Sequence, residues 1–406
     1  MKVKNSLLII LFLLSFSLSQ YIDMEESMEA PLKNYVTVSK QGSLIPNRKA
    51  SLSPHPKVSI IIPMYNEAKN VIPVIRSAQN QQMEEIEIIC IDDNSNDDTL
   101  HILHQLQLSD PRIKVISNKI NRGVLYNRIY GAIQSKGEYV TYLDADDCLC
   151  NINILDFAYQ HATQNYGEKI DIVHYQTCGS SIDEEGNLGK FVIFQSFDGR
   201  HFNQVIRQPD IGDNYMQHGK NVTGSGLVFD KIYRRELMIK VANYLGPHIW
   251  NQNLVFVDDF LLAFACMKVT RNIVNIADVG YWHYFDKKTS TTSNVWKYDG
   301  YQLVDPDKTN KKIGDYMVIL ERMYELTEDE RQMLEFREDI IKELTKDDYM
   351  PTIARSVHYN RFLNLCEKLY NWKYIDNEAK NRARDYIRIV LSYRIDPEKK
   401  FAHLFY

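Results

Sequence analysis

Short apolar runs alternate with amphipathic segments over residues 57–147, and no other feature of the sequence limits the fold as much. Val58-Ser59-Ile60-Ile61-Ile62 is a nearly continuous apolar run stopped by Pro63, the pattern of a strand buried on both faces of a parallel sheet. A helix over 68–81 follows, with Glu67 favouring its positive end. A second strand over 86–91 is closed by Asp92-Asp93-Asn94-Ser95-Asn96-Asp97-Asp98. There Asn96 or Asp97 can cap a helix carrying Leu100, Leu103, Leu106 and Leu108, while Asp92, Asp97 and Asp98 read as capping or solvated groups. A strand at 113–116, a helix at 123–134 and a strand at 139–143 continue the series. Strands joined by helices through short connections form right-handed βαβ units, so the predicted fold is α/β, a doubly wound and mostly parallel sheet.

The fourth strand runs directly into Asp144-Ala145-Asp146-Asp147, three carboxylates within four residues. Like charges a few ångströms apart repel and disfavour full ionisation. A hard cation would remove that conflict. Mg²⁺ or Mn²⁺ takes oxygen ligands, uses one or two carboxylates, and fills its other positions with water and substrate phosphates. Open α/β sheets place their ligands at the carboxyl ends of strands. The stretch therefore reads either as a metal and diphosphate site or as a solvated Asp-rich turn.

Composition removes several function classes. A net charge of −5 with no strongly basic stretch gives nucleic acid no electrostatic footprint. The six cysteines form no Cys-x-x-Cys pair, so neither a zinc site nor a dense disulfide framework is indicated. No G-x-G-x-x-G follows the first strand and no Walker A sequence occurs, which argues against an ordinary dinucleotide-binding domain. At 406 residues the chain exceeds the usual single core. Lys2 and Lys4 precede an apolar run over 7–18, and Ser17-Leu18-Ser19 offers small residues for cleavage. Residues 1–19 thus read as a signal peptide, or as a short uncleaved anchor. The run is shorter than the roughly 20 residues a spanning helix needs. That address implies a secretory lumen, ER or Golgi, or secretion. Asn221-Val222-Thr223 is a compatible glycosylation sequon. Residues 20–56, acidic and then proline-bearing, read as a stem or linker.

At this point the residues resemble a known family. Lys57-Val58-Ser59-Ile60-Ile61-Ile62-Pro63-Met64-Tyr65-Asn66-Glu67 looks like the opening of family 2 glycosyltransferases with the GT-A, Rossmann-like fold. Ile89-Cys90-Ile91-Asp92-Asp93-Asn94-Ser95-Asn96-Asp97 resembles their second signature, and Asn121-Arg122-Gly123 with Arg128 a third. Leu143-Asp144-Ala145-Asp146-Asp147 is similar to their Asp-x-Asp element. The resemblance implies that Pro63, Tyr65 and Glu67 line the nucleotide pocket and that Asp93 accepts a hydrogen bond from the base, uracil being the first candidate. It further implies that Asp144 and Ala145 bind the donor, with Asp144 at the ribose, and that Asp146 holds the metal. Arg128 would hold the donor or pair with a nearby Asp.

In the second half, a strand at 170–175 and a hairpin tip over 179–189 are expected. Ser225 to Leu237 resembles the family's strand leading into a Lys-x-Tyr-Arg-Arg-Glu helix start, where Lys231 would face phosphates or snorkel at the surface. Val257-Asp258-Asp259-Phe260 resembles the catalytic Glu-Asp element, with Asp258 in place of the more frequent Glu. An inverting transfer is a single displacement, so a carboxylate must take the proton of the acceptor hydroxyl. The resemblance gives Asp259 that role and makes Asp258 its partner; the alternative is that both merely favour the positive end of a helix over 260–267. His283, in Val279-Gly280-Tyr281-Trp282-His283-Tyr284, would complete the metal shell, bond the diphosphate, or sit as a core histidine. Residues 287–292 have the composition of a lid.

The expected organisation is a catalytic domain over 57–300 and a helical region over 301–406, with helices at 316–326, 328–344, 353–371 and 378–393. No Gln-x-x-Arg-Trp motif and no transmembrane runs follow, against a processive synthase with a multi-span membrane domain. The expected activity is transfer of one sugar from a nucleotide-sugar, a UDP-sugar first, to a hydroxyl of a glycan, protein or lipid, assisted by Mn²⁺ or Mg²⁺. The competing readings are a sugar-phosphate nucleotidyltransferase, whose glycine-rich first loop is absent, and a binding module without turnover. Oligomeric state leaves no trace in the sequence.

Overall fold

The computed structural model describes residues 51–182, 188–194, 202–208, 210–211, 228–254, 258–285, 298–299, 302–303, 306–326, 338, 341–342, 345, 353 and 358–395. The chain divides into two compact units, Phe16–Ser290 and Thr291–Tyr406 with Met1–Ser15. The leader, most of the stem, the sequon, residues 183–187 of the hairpin tip, the lid and most of the helix at 328–344 lie outside the described residues.

The first unit opens with strict alternation: β1 Val58–Met64, α1 Val71–Gln79, β2 Ile86–Asp92, α2 Thr99–Ser109, β3 Ile113–Ser117, α3 Val124–Gln134 and β4 Tyr139–Tyr142. The four strands are parallel in the order β3-β2-β1-β4. Every residue of β1, β2 and β4 is buried, and so isoleucine, valine and tyrosine fill them with little polar alternation. On one face, α1 packs Val71, Val74, Ile75 and Ala78 into a core shared with Ile60, Ile62 and Ile88. On the other face α3 lies very close to the sheet. A Cβ at Gly131 would stand 2.5 Å from Ile61 Cγ2, so only glycine permits this approach. That contact fixes the height of Arg128, one helical turn earlier.

β1 runs on through Pro63, where the sequence had ended it. Ile61 O accepts the Leu143 N–H, so the nitrogen of Pro63 points to the same side. The β1–β4 pairing stops at Ile61, and the missing N–H breaks no ladder.

Beyond β4 the sheet becomes mixed. β5 Cys148–Leu149 and α4 Ile154–Thr163 lead into β6 Ile172–Ile182, β7 Leu188–Phe194 and β8 Val205–Arg207. β9 Lys231–Arg234 inserts antiparallel between β4 and β6. It is followed by α5 Arg235–Leu245, α6 Pro247–Trp250, α7 Asp258–Val269 and β10 Asn272–Phe285. β10 is parallel to β6 and antiparallel to β5 and β8. β6 extends well past the strand expected at 170–175, and β10 runs for 14 residues. Register shifts between Asn275 and Tyr281 interrupt the period-two pattern that would have revealed their length.

The second unit contains α8 Pro306–Leu326, α9 Tyr359–Tyr370 and α10 Asn377–Ile395. Met317, Phe362, Leu365, Leu369, Ala383 and Val390 share its core. Arg361 grips Glu321 with two hydrogen bonds, at 3.1 and 2.7 Å.

Candidate active site

The ends of β1 and β2 are locked together. Asn66 and Asn94 both take left-handed backbone, with φ of 57° and 65°, which asparagine tolerates better than most residues. Asn66 donates its N–H to Ser95 Oγ at 2.9 Å and accepts the Asn96 N–H at 2.7 Å. Asp97 accepts the N–H of Ala68 at 3.1 Å and of Thr99 at 3.0 Å, tying the turn after β1 to the start of α2. Glu67 accepts the Asn70 side-chain amide at 2.6 Å, Pro63 is buried, and Tyr65 stands out at 45% exposure. Asp92, expected as a capping or solvated group, is instead buried beside Ser95 and Ser117.

Asp93 is buried and fully engaged. One carboxylate oxygen accepts the Arg122 N–H and the Asn118 amide, both at 2.8 Å, and the other accepts the Gly123 N–H at 2.8 Å. Gly123, with φ of 84°, begins α3. What Asp93 does in this structure is hold the loop that launches the helix carrying Arg128.

The three carboxylates after β4 have separate fates. Asp147 is buried and accepts the Tyr281 hydroxyl at 2.9 Å, His283 Nδ1 at 2.9 Å and the Tyr284 N–H at 3.0 Å. The Tyr281 hydroxyl also accepts the Asp144 N–H at 3.1 Å, so β10 braces the whole acidic turn. Asp144 accepts Arg128 Nη2 at 2.7 Å. Much of the like-charge conflict is therefore answered by the protein itself. Ala145 is buried between the acids, and Asp146 stands half-buried at the end of the strand.

Arg128 also donates through Nη1 to Asp259, the second residue of α7, which begins at Asp258. The guanidinium is 3% exposed, Asp144 25% and Asp259 18%, so a buried cation spans two acids that both reach solvent. Burial pushes the Asp259 carboxyl above its usual range, Arg128 opposes the shift, and Asp144 adds to it. A raised carboxyl is a better proton acceptor at neutral pH. Of Asp258 only the backbone is described.

Burial pulls the His283 pKa down, but the carboxylates of Asp147, Asp146 and Asp144 outweigh it and raise the ring to about 9. With Nδ1 donated to Asp147, a protonated ring donates to an anion rather than ligating a cation. Phe229 stacks on it at 5.7 Å.

Lys231 neither snorkels nor lies at the surface. It is buried, paired with Asp230, whose other oxygen takes His174 Nε2 at 3.0 Å. Burial and Lys231 hold His174 below its usual range, while the charge and hydrogen bonds of His174 and Lys231 outweigh burial and hold Asp230 at about 2.

Hard oxygen donors at Asp144 and Asp146 fit Mn²⁺ or Mg²⁺. Among the described residues no group of three His, Cys, Asp or Glu side chains is placed to enclose an ion. An ion here would rely on one or two carboxylates and on phosphate oxygens, as these cations do.

The structure thus gathers Arg128, Asp144 and Asp259 into one cluster and Asp147, Tyr281 and His283 into a second beside it. Pro63, Tyr65, Glu67 and Asp93 stand at the ends of β1 and β2. Sequence reasoning missed Asp147 and Tyr281 as the brace. Tyr281 and His283 are two apart on a strand and face one side, which pairs them with the third acid. The Asp230–His174 contact carries no local signal, because it depends on the β6–β9 register.

Residues 59–154 match the family described as Glycosyl transferase family 2. The chain is similar to the GalNAc(5)-diNAcBac-PP-undecaprenol beta-1,3-glucosyltransferase of Campylobacter jejuni, 38% identical over 33% of this chain and 41% of that protein. It is also similar to the cholesterol galactosyltransferase of Borreliella burgdorferi, 27% identical over 59% of this chain and 63% of that one. It therefore spans less than two thirds of either relative. Among solved structures, S. aureus TarS 1–349 in complex with UDP overlaps 84% of this chain and 91% of its own, with a TM-score of 0.44 and 18% identity.

These matches correct one expectation. The relatives come from bacteria, which have neither ER nor Golgi, so an address in that lumen is not supported. The apolar leader pattern is a general one and does not name a compartment. No described helix is long and apolar enough to cross a membrane.

Proposed function

We propose that this chain, whose residues 59–154 match the family described as Glycosyl transferase family 2, transfers a single sugar from a nucleotide-sugar, a UDP-sugar first, to an acceptor hydroxyl with inversion. The observation that carries this reading is the convergence of Asp144, at the end of a parallel strand, and Asp259, on α7, on the one buried guanidinium of Arg128.

In this reading the nucleotide lies over the ends of β1 and β2, along Tyr65 and the turn held by Asp93. Asp144 takes the ribose through the oxygen that Arg128 leaves open. His283, held at Nδ1 by Asp147, donates its outer N–H to the diphosphate. Asp259 accepts the proton of the acceptor hydroxyl as that oxygen attacks the anomeric carbon. The bond from that carbon to the phosphate oxygen breaks in the same step, and the electron pair leaves with the nucleoside diphosphate. One displacement inverts the configuration. A divalent cation held by Asp146 would neutralise charge on the departing diphosphate.

Incubating the purified protein with a panel of nucleotide-sugars, with and without Mn²⁺, tests the reading. Slow release of nucleoside diphosphate from one donor is expected, dependent on the metal and abolished in Asp146→Ala together with metal-dependent donor binding. Pyrophosphate turnover, or tight donor binding without turnover, would overturn it. Asp146→Ala that still binds donor in a Mn²⁺-dependent way would remove the metal assignment alone.

A further inference from the structure

We propose that Arg128 is a positioning residue that sets the distance between the donor-holding carboxylate and the base, its two amino groups each gripping the inner oxygen of one acid. Nη2 meets Asp144 Oδ1 at 2.7 Å and Nη1 meets Asp259 Oδ1. Among the described residues no other hydrogen bond to either carboxylate is seen, and both side chains reach solvent, at 25% and 18% exposure. Asp144 then presents its outer oxygen to the donor and Asp259 its own to the acceptor. This inference rests on the transfer reading above, since it assigns those two partners.

The arrangement depends on a planar fork. A guanidinium offers separate, rigidly spaced donors to two carboxylates, whereas an ammonium is a single point of charge on a flexible stem. The fork is held on both sides. Asp93 fixes the loop at Gly123 where α3 begins, and Gly131 lets the same helix press against Ile61. The helix is held at both Gly123 and Gly131, which fixes Arg128 between the two acids. Buried at 3% exposure, Arg128 is also poorly placed to follow a ligand into solvent.

The variant Arg128→Lys keeps the charge and removes the fork. In its crystal structure the ammonium is expected to keep one acid while the other carboxylate turns away. Turnover at saturating donor should fall about 10²-fold, the usual effect of a misplacement near 1 Å, with donor affinity by calorimetry held within about threefold. If Arg128→Lys does not fold, Asp144→Asn serves. Weakening the grip on one side should lower turnover at saturating donor by about 10-fold or more, although Asp144 touches no acceptor. Loss of donor affinity with turnover preserved in Arg128→Lys would make Arg128 a donor ligand and overturn the proposal, as would undiminished turnover at saturating donor in Asp144→Asn. Both acids unmoved in the Arg128→Lys crystal structure would overturn it as well. A wild type that releases nucleoside diphosphate from no donor would defeat the transfer reading instead, and the crystal structure would still decide the spacing.

Discussion

His174 and His283 each meet an aspartate near 3 Å, at 3.0 Å from Asp230 and 2.9 Å from Asp147. Their protons nevertheless behave in opposite ways. Burial and the adjacent Lys231 hold His174 below its ordinary range, although Asp230 pulls it upward. Burial also acts against His283, but the carboxylates of Asp147, Asp146 and Asp144 lift it to about 9. A carboxylate partner alone does not decide the charge of an imidazole. The sum of charges around the pair decides it, and so does its access to solvent. His174 belongs to a balanced buried set in the sheet, whereas His283, 36% exposed, lies in an acidic rim suited to an anionic ligand.

The comparison is broken most severely by removing charge from the buried pair. Asp230→Asn removes the carboxylate paired with Lys231 at 1% exposure and should cost about 3–5 kcal/mol in urea unfolding, as broken buried ion pairs do. A loss under about 1 kcal/mol would mean that the set is not balanced as described. At the rim, Asp147→Asn gives up a charged acceptor that holds Tyr281, His283 and the Tyr284 N–H. A loss of about 1–3 kcal/mol is expected, and the His283 resonance should titrate well below 9 in NMR.

The two pairs should also set opposite edges of the pH profile. His283, raised in the folded state, contributes stability that is complete below about 6.5 and disappears as pH climbs through about 9. His174, depressed in the folded state, makes a contribution that is present above about 6.5 and is lost on acidification below it. Thermal midpoints should therefore flatten on the alkaline side in His283→Gln and on the acid side in His174→Gln. The reverse assignment would contradict the comparison. Arg388→Ala, which removes a pair to Asp385 exposed at 72% and 63%, should change stability by no more than about 0.5 kcal/mol, a baseline for the other variants.

The half of the sheet readable in advance is the half whose strands are uniform. Ile60, Ile61 and Ile62, or Ile88, Cys90 and Ile91, are buried on both faces, and composition alone marks such runs. β6 and β10 combine register shifts with polar residues that face one another inside the sheet, among them His174 and Asn275. Those residues read as loop in one dimension and become core only when the pairing is known. The site divides in the same way. Asp144 and Asp146 stand out in the sequence because acids at a strand end are locally conspicuous, whereas Asp259 is singled out by the family resemblance of its stretch. The Arg128 bridge was open in sequence, since it joins positions 16 and 131 residues away. Likewise the Asp147 brace reaches 134 residues along the chain to Tyr281.

The claim on which the account turns is that Asp259 takes the proton from the acceptor in a transfer from a nucleotide-sugar. Asp259→Asn tests it, with turnover and donor affinity measured on the same preparation. Turnover reduced about 10²–10⁴-fold, the usual worth of a positioned base, is expected, with donor affinity nearly unchanged. Undiminished turnover, or a collapse of donor binding in that variant, would contradict it.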